Sequence, residues 1–86
     1  MISFGAYRRL SLDLQAEILW QFGVSLDLVR ITSKRCIELY ALDNFYVEMH
    51  FNKKTEEPLF LRAFNKTKDL EPYLKLIKIE SLLEAK

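Results

Sequence analysis

From Ser11 to Phe22 the apolar positions Leu12, Ala16, Ile18, Leu19, Trp20 and Phe22 fall on one broad sector of a helical wheel, with Asp13, Glu17 and Gln21 opposite. That pattern predicts an amphipathic helix. Ser11 is placed to cap it, Asp13 suits the positive end of its dipole, and Gly23 is expected to close its last turn with positive φ. Residues 1–10 either add an earlier turn or lie along the surface. After Gly23 the chain turns to β-formers. Leu28-Val29-Arg30-Ile31-Thr32 and Cys36-Ile37-Glu38-Leu39-Tyr40-Ala41-Leu42, separated by Ser33-Lys34-Arg35, predict one hairpin. Beyond the turn signal Asp43-Asn44, Tyr46–Phe51 and Leu59–Phe64 flank the polar run Asn52–Pro58 and predict a second. Asp69 is expected to cap a C-terminal helix that tolerates Pro72 in its first turn and turns Tyr73, Leu74, Ile77 and Leu82 toward the sheet. The period-two alternation of Leu74–Ile79 leaves open a short helix that breaks into an extended tail.

Register follows from parity, because a slip of one residue sends every side chain of a strand to the other face. A two-residue loop at Asp43-Asn44 sets Tyr40 beside Val47 and Glu38 beside Met49, mixing polar and apolar groups on both faces. A three-residue loop or bulge instead gathers Ile37, Leu39, Ala41, Val47, Met49 and Phe51 on one face, with Cys36, Glu38, Tyr40, Tyr46, Glu48 and His50 on the other. The second arrangement is the expected one. Leu59 and Leu61 then join the core while Phe60 and Arg62 face away; Phe64 does not sort cleanly, and a bulge near Arg62 is one way to return it inward. The resulting fold class is α+β: an N-terminal helix, an antiparallel meander of three or four strands and a C-terminal helix, both helices on one face of the sheet.

The fragments Leu19-Trp20 with Gly23, Glu38-Leu39-Tyr40, Phe45-Tyr46-Val47-Glu48 and Leu70-Glu71-Pro72-Tyr73-Leu74 resemble those of a group of short, uncharacterised bacterial proteins with a helix–sheet–helix outline. The likeness covers most of the chain after Leu12. It implies the fold and carries no activity with it.

Composition narrows the function classes. A chain of 86 residues closes a single core, so residues 1–86 are read as one domain. Thirteen Lys and Arg against twelve Asp and Glu leave a net charge of +1 with the signs interspersed, which supplies no long-range field for nucleic acid or anionic lipid. Cys36 is the only cysteine, which excludes an internal disulfide and fits a reducing compartment. In an apparent strand it reads as a small buried hydrophobe. Residues 1–10 lack the continuous apolar core of a signal peptide, and no apolar run is long enough to cross a bilayer. The expected location is cytoplasmic.

Candidate chemistry gathers on the sheet face opposite the expected core, where Tyr40, Tyr46, Glu48, His50, Phe60 and Arg62 are placed together. His50 with Glu48 is the raw material of general acid–base catalysis and defines one alternative, a small hydrolytic or ligand-binding domain. An open, solvated face argues against it, since catalysis needs a partly dry pocket. Tyr46 and Arg62 define the other, a weak single-stranded nucleic-acid binder, against which Glu38 and Glu48 in the same patch and the near-neutral charge both weigh. One histidine and one cysteine do not make a zinc site, and Gly5 and Gly23 belong to no phosphate loop, so no cofactor is expected. The leading expectation is a non-enzymatic binding or accessory domain. Tyr40, Tyr46 and Phe60 would form its contact patch for another protein or for a second copy in a homodimer, the alternative being that residues 1–10 or the C-terminal tail cover one or more of these rings.

Overall fold

The computed structural model describes residues 2–76. Helix α1 spans Phe4–Arg8 and helix α2 spans Leu12–Phe22; strands β1 (Val24–Ile31), β2 (Arg35–Leu42), β3 (Phe45–Asn52) and β4 (Pro58–Phe64) follow, then a 3-10 turn, Thr67–Leu70, and helical residues 71–76. The four strands form an open antiparallel meander in chain order, so the α+β class and the two hairpins are as expected from sequence. The expected contacts of Ile77 and Leu82 lie outside the described residues.

Each helix start has a local cause. Ser3 Oγ accepts from the Ala6 amide at 3.1 Å and Ser11 Oγ from the Leu14 amide at 3.3 Å, and each satisfies an amide that would otherwise have no partner in its helix. Tyr7 and Gln15 then lock α1 to α2 reciprocally: the Tyr7 hydroxyl donates to the Gln15 carbonyl at 2.7 Å, and Gln15 Nε2 donates to the Tyr7 carbonyl at 2.8 Å. Burial pushes the Tyr7 phenol up to about 12.

Gly23 ends α2, but not through a left-handed turn. Its φ is −74°, open to any residue, and its amide closes the last turn on the Leu19 carbonyl at 2.8 Å. The need is for space: a Cβ there would stand 2.5 Å from the Leu19 carbonyl oxygen and 2.8 Å from Leu19 Cδ1.

The β2–β3 register overturns the expected core. Leu42 pairs with Phe45, so Asp43-Asn44 is a two-residue loop, and Asp43 takes φ 52°, the positive value such turns use at their first central residue. Asp43 Oδ2 also accepts from the Ile2 amide at 2.8 Å, tying the N-terminus to the turn. Parity then sets Glu38, Tyr40 and Leu42 beside Phe45, Val47 and Met49 on a first face, and Ile37, Leu39 and Ala41 beside Tyr46, Glu48 and His50 on a second. Both faces mix polar and apolar groups, and the polar ones pair among themselves. On the first face the Tyr40 hydroxyl donates to Glu38 Oε1 at 2.8 Å; burial first, and then that carboxylate, push the Tyr40 phenol up to about 12.

Two bulges adjust the edge strands. In β1 the pairs Ser25–Tyr40 and Val29–Glu38 leave three residues opposite Leu39 alone, with Asp27 at φ 55°. The two extra residues are an even number, so parity survives and Leu26 and Leu28 both pack on the second face. In β4 the extra residue is Leu59, between the pairs His50–Phe60 and Phe51–Pro58. No bulge is needed near Arg62: Phe64 is buried directly on the second face, opposite Tyr46.

The helical elements therefore divide between the faces instead of sharing one. Tyr7 and Leu19 pack with Leu42, Phe45, Val47 and Met49 on the first, whereas Tyr73 packs with Leu39 and Phe64 on the second. The C-terminal segment opens with the 3-10 turn, which has no side-chain cap and contains Asp69 within it, so Asp69 is not a helix cap; Pro72 does sit in the first turn of the following helical run.

Candidate functional site

Of the six residues expected to form a contact patch, Tyr46, Glu48, His50, Phe60 and Arg62 share the second face. Tyr40 lies on the first, because the two-residue loop reverses the parity of β2 against β3. Nor is the group an open patch. Glu48 is 1% exposed and His50 is 6% exposed.

Glu48 is the centre of a buried polar network drawn from four parts of the chain. Its Oε1 accepts from Arg62 Nε of β4 at 3.1 Å and from His50 Nε2 at 3.2 Å. Its Oε2 accepts from the Tyr73 hydroxyl at 2.7 Å and more distantly from Arg30 of β1, at 3.5 Å. Burial by itself raises the carboxyl, but the hydrogen bonds of Tyr73 and His50, followed by the charge and hydrogen bond of Arg62, outweigh it and hold Glu48 below the ordinary glutamate value. Burial and the same bond push the Tyr73 phenol up. A carboxylate only accepts, so His50 Nε2 carries the proton it donates, and Nδ1 is buried without a hydrogen-bond partner among the described residues. Arg30 and Tyr73, the members of this network not picked out as site residues from sequence, lie 18 and 25 residues from Glu48. Only the fold brings them in.

The chemistry open to this network is limited. A general base needs an available lone pair facing a substrate and a pKa near the working pH. Glu48 has its oxygens committed to donors and its carboxyl held low, while the His50 ring is stacked on Phe60 with centroids 4.2 Å apart. The case against nucleic acid also changes its basis. Glu38 does not share the face, and Glu48 is neutralised by its partners. The aromatic rings, however, are already engaged. Phe60 has His50 stacked against it and Arg35 over it at 5.1 Å, and Tyr46 stacks on Phe64 at 5.6 Å. Among the described residues no three His, Cys, Asp or Glu side chains converge to hold a metal ion.

A second feature lies on the opposite side of the sheet. The apolar sector of α2 is wider than the strip the sheet covers: Leu19 is buried and Ile18 half-buried, but Trp20 is 67% exposed and Phe22 is 68% exposed. Trp20 lies about 100° around the axis from Leu19, at one margin of the buried strip, whereas Phe22 lies between Ile18 and Leu19 around the axis and is exposed at the last turn of the helix. On the Trp20 side a groove of about 520 Å³ runs between α2 and the β3–β4 hairpin, with Leu12, Ala16 and Trp20 on its helical wall and Met49 and Leu61 beneath. Phe60 reaches its margin, the one expected patch residue that does. The helical wheel holds the signal for this groove, since a sector broader than one contact strip must leave part of itself uncovered.

Comparison of the chain with protein-family models, with curated proteins and with solved structures finds no match. No helix among the described residues is long and apolar enough to cross a membrane.

Proposed function

We propose that the chain is a non-enzymatic protein-binding domain and that its contact surface is the outer flank of α2 rather than the second face of the sheet. The observation that carries this reading is the exposure of Trp20 beside Leu12 above the α2–β4 groove. Tryptophan is the side chain most enriched at interface hot spots, and a large ring left in water beside further apolar surface gains most from being covered. The second face is a weaker candidate because Tyr73 already covers its apolar part and its ionisable groups satisfy one another.

Strand addition is the less suited mode of contact. The edge strand β1 is interrupted at Asp27, and the other edge strand, β4, begins at Pro58 and bulges at Leu59. Such interruptions blunt an edge against pairing with a further strand. Contact through side chains on α2 remains.

Site-specific photo-crosslinking tests the reading. A photoreactive residue at position 20 is expected to capture a defined partner that the same residue at Ser33, in the β1–β2 turn, does not. Once purified, that partner should perturb the amide resonances of residues 12–20. Equal capture at both positions, or perturbation confined to the sheet residues Tyr46 and Arg62, would refute it.

A further inference from the structure

Resting on that reading of α2, we infer that the groove takes an α-helix whose apolar ridge is flanked by Lys or Arg. Leu12, Ala16 and Trp20 are four residues apart in turn and form one ridge of α2. Leu12 and Trp20 stand exposed at its ends, and the small, half-buried Ala16 leaves a notch between them. A ridge with a low centre is what a second helix crosses when its own side chains interdigitate at the usual separation of roughly 8–10 Å. The helix itself, at roughly 1.5 Å per residue, offers three turns of wall.

The charge on that wall selects the partner. Asp13 and Glu17 form the neighbouring ridge and line the same groove. Among the described residues neither is paired with a cation, since the ion pairs there all belong to Glu48. Among the described residues no Lys or Arg lines the groove. Seating an apolar helix therefore leaves two carboxylates at the rim, and basic side chains on the incoming helix answer them. A second copy of this chain packed about a twofold axis on this ridge brings Asp13 and Glu17 against their own equivalents, and an anionic bilayer is repelled in the same way.

The test uses the full chain, isotopically labelled, with Trp20 as its single tryptophan. It is titrated with a designed amphipathic Leu/Lys helix and with the matching Leu/Glu helix. The Leu/Lys helix is expected to shift Trp20 emission to the blue and to move the amides of Asp13, Ala16, Glu17 and Leu61, with affinity that falls with salt. The Leu/Glu helix should bind roughly tenfold more weakly, about what two exposed charge pairs are worth. The double variant Asp13→Lys, Glu17→Lys should reverse that order, and Ala16→Gln should fill the notch and weaken both. Equal binding of the two helices at these amides overturns the inference on charge and leaves the α2 surface standing. If neither helix moves them, the inference and the proposed surface fall together. If the same amides shift on raising the protein concentration alone, the occupant is a second copy and the inference is wrong.

Discussion

On the first face of the sheet, two helices cover an apolar layer in which Phe4 and Tyr7 pack against Phe45 at centroid distances of 5.6 and 5.5 Å. On the second, the 3-10 and helical residues 67–76 cover a layer with a carboxylate at its centre, and among these described residues Tyr73 is the buried one. The first face is held by area and shape, which are non-directional and spread over many contacts. The second is held in large part by one oxygen pair that must find its donors. Burying a carboxylate is costly unless it is hydrogen-bonded, so the segment that carries Tyr73 is tied to the state of Glu48 in a way that α1 and α2 are not. The same sheet thus has a tolerant face and a conditional one.

The largest expected effect strikes the first face. Phe45→Ala removes a ring that is 1% exposed and leaves a cavity beneath α1, at a cost of about 4 kcal/mol, within the range for buried Phe truncations. For a chain this short that is a large share of total stability. Urea unfolding should show the midpoint fall with little change in slope, and amide exchange should accelerate throughout, because both faces share β3. Exchange that quickened only in α1 and α2 would mean that the first face is not the common foundation.

Glu48→Ala should come next, at about 3 kcal/mol. Most of this is the Tyr73 hydroxyl and the His50 Nε2–H left buried without their acceptor, a loss of roughly 1–3 kcal/mol for a buried donor, and the remainder is packing. The ion pairs add little, because the Arg30 side chain is 33% exposed and that of Arg62 is 47% exposed, and water screens such pairs to below about 1 kcal/mol each. Acid gives the same comparison without mutation. The Glu48 carboxyl is held below its ordinary value of 4.5, so its contribution is complete above that pH and is lost as the pH falls below it through the folded-state value. Stability measured against pH should decline on this acid limb, and the decline should be shallower in Glu48→Gln. Exchange protection of residues 67–76 should fail before that of residues 4–22. Simultaneous loss of both would mean that the two faces are not differently held.

How much of this was legible in the sequence depends on the range over which each cause acts. Turns and the limits of β2, β3 and β4 are local, and alternation with Asp43-Asn44 and Asn52–Pro58 located them to within a residue; β1 begins at Val24, four residues before the expected Leu28, because the irregularity around Asp27 interrupts its alternation. The α2 cap at Ser11 was equally local. Register was not, because a two-residue loop looks unfavourable until it is known that Glu48 meets Arg30, Arg62 and Tyr73, and those partners come from other elements. The division of the helices over two faces follows from the same missing fact. Gly23 was legible as a stop but not for its reason, which is the position of Leu19 above it. Trp20 fell in the apolar sector of the wheel, yet the wheel does not say how wide a strip the sheet will cover. Tyr46, Glu48, His50, Phe60 and Arg62 do share one face; Tyr73 is expected from sequence to meet the sheet with Leu39 and Met49 beneath it, and the two-residue loop is what separates those two and sets Leu39 and Glu48 together under its ring.

The smallest effects come from two hydroxyls, and they sharpen the comparison most. Tyr7 and Tyr73 are both fully or almost fully buried, and each donates one hydrogen bond of 2.7 Å, but Tyr7 donates to the neutral carbonyl of Gln15 and Tyr73 to the carboxylate of Glu48. Replacing either by Phe keeps the ring and deletes only the donor. Hydrogen bonds to charged groups contribute roughly 1.5–3 kcal/mol and neutral ones about 0.5–1.5 kcal/mol, so Tyr73→Phe should cost about 2 kcal/mol and Tyr7→Phe about 1 kcal/mol. The difference should itself depend on pH. Below the folded-state pKa of Glu48 the acceptor becomes a neutral acid, and the cost of Tyr73→Phe should shrink toward that of Tyr7→Phe, whose own cost has no titrating partner and should stay level. Denaturant unfolding of the two variants and the parent chain, at neutral pH and on the acid limb, measures this. Equal costs at both pH values would place the hold of the C-terminal segment in the apolar contacts of Tyr73 with Leu39 and Phe64, and the two faces would then be closed by the same means after all.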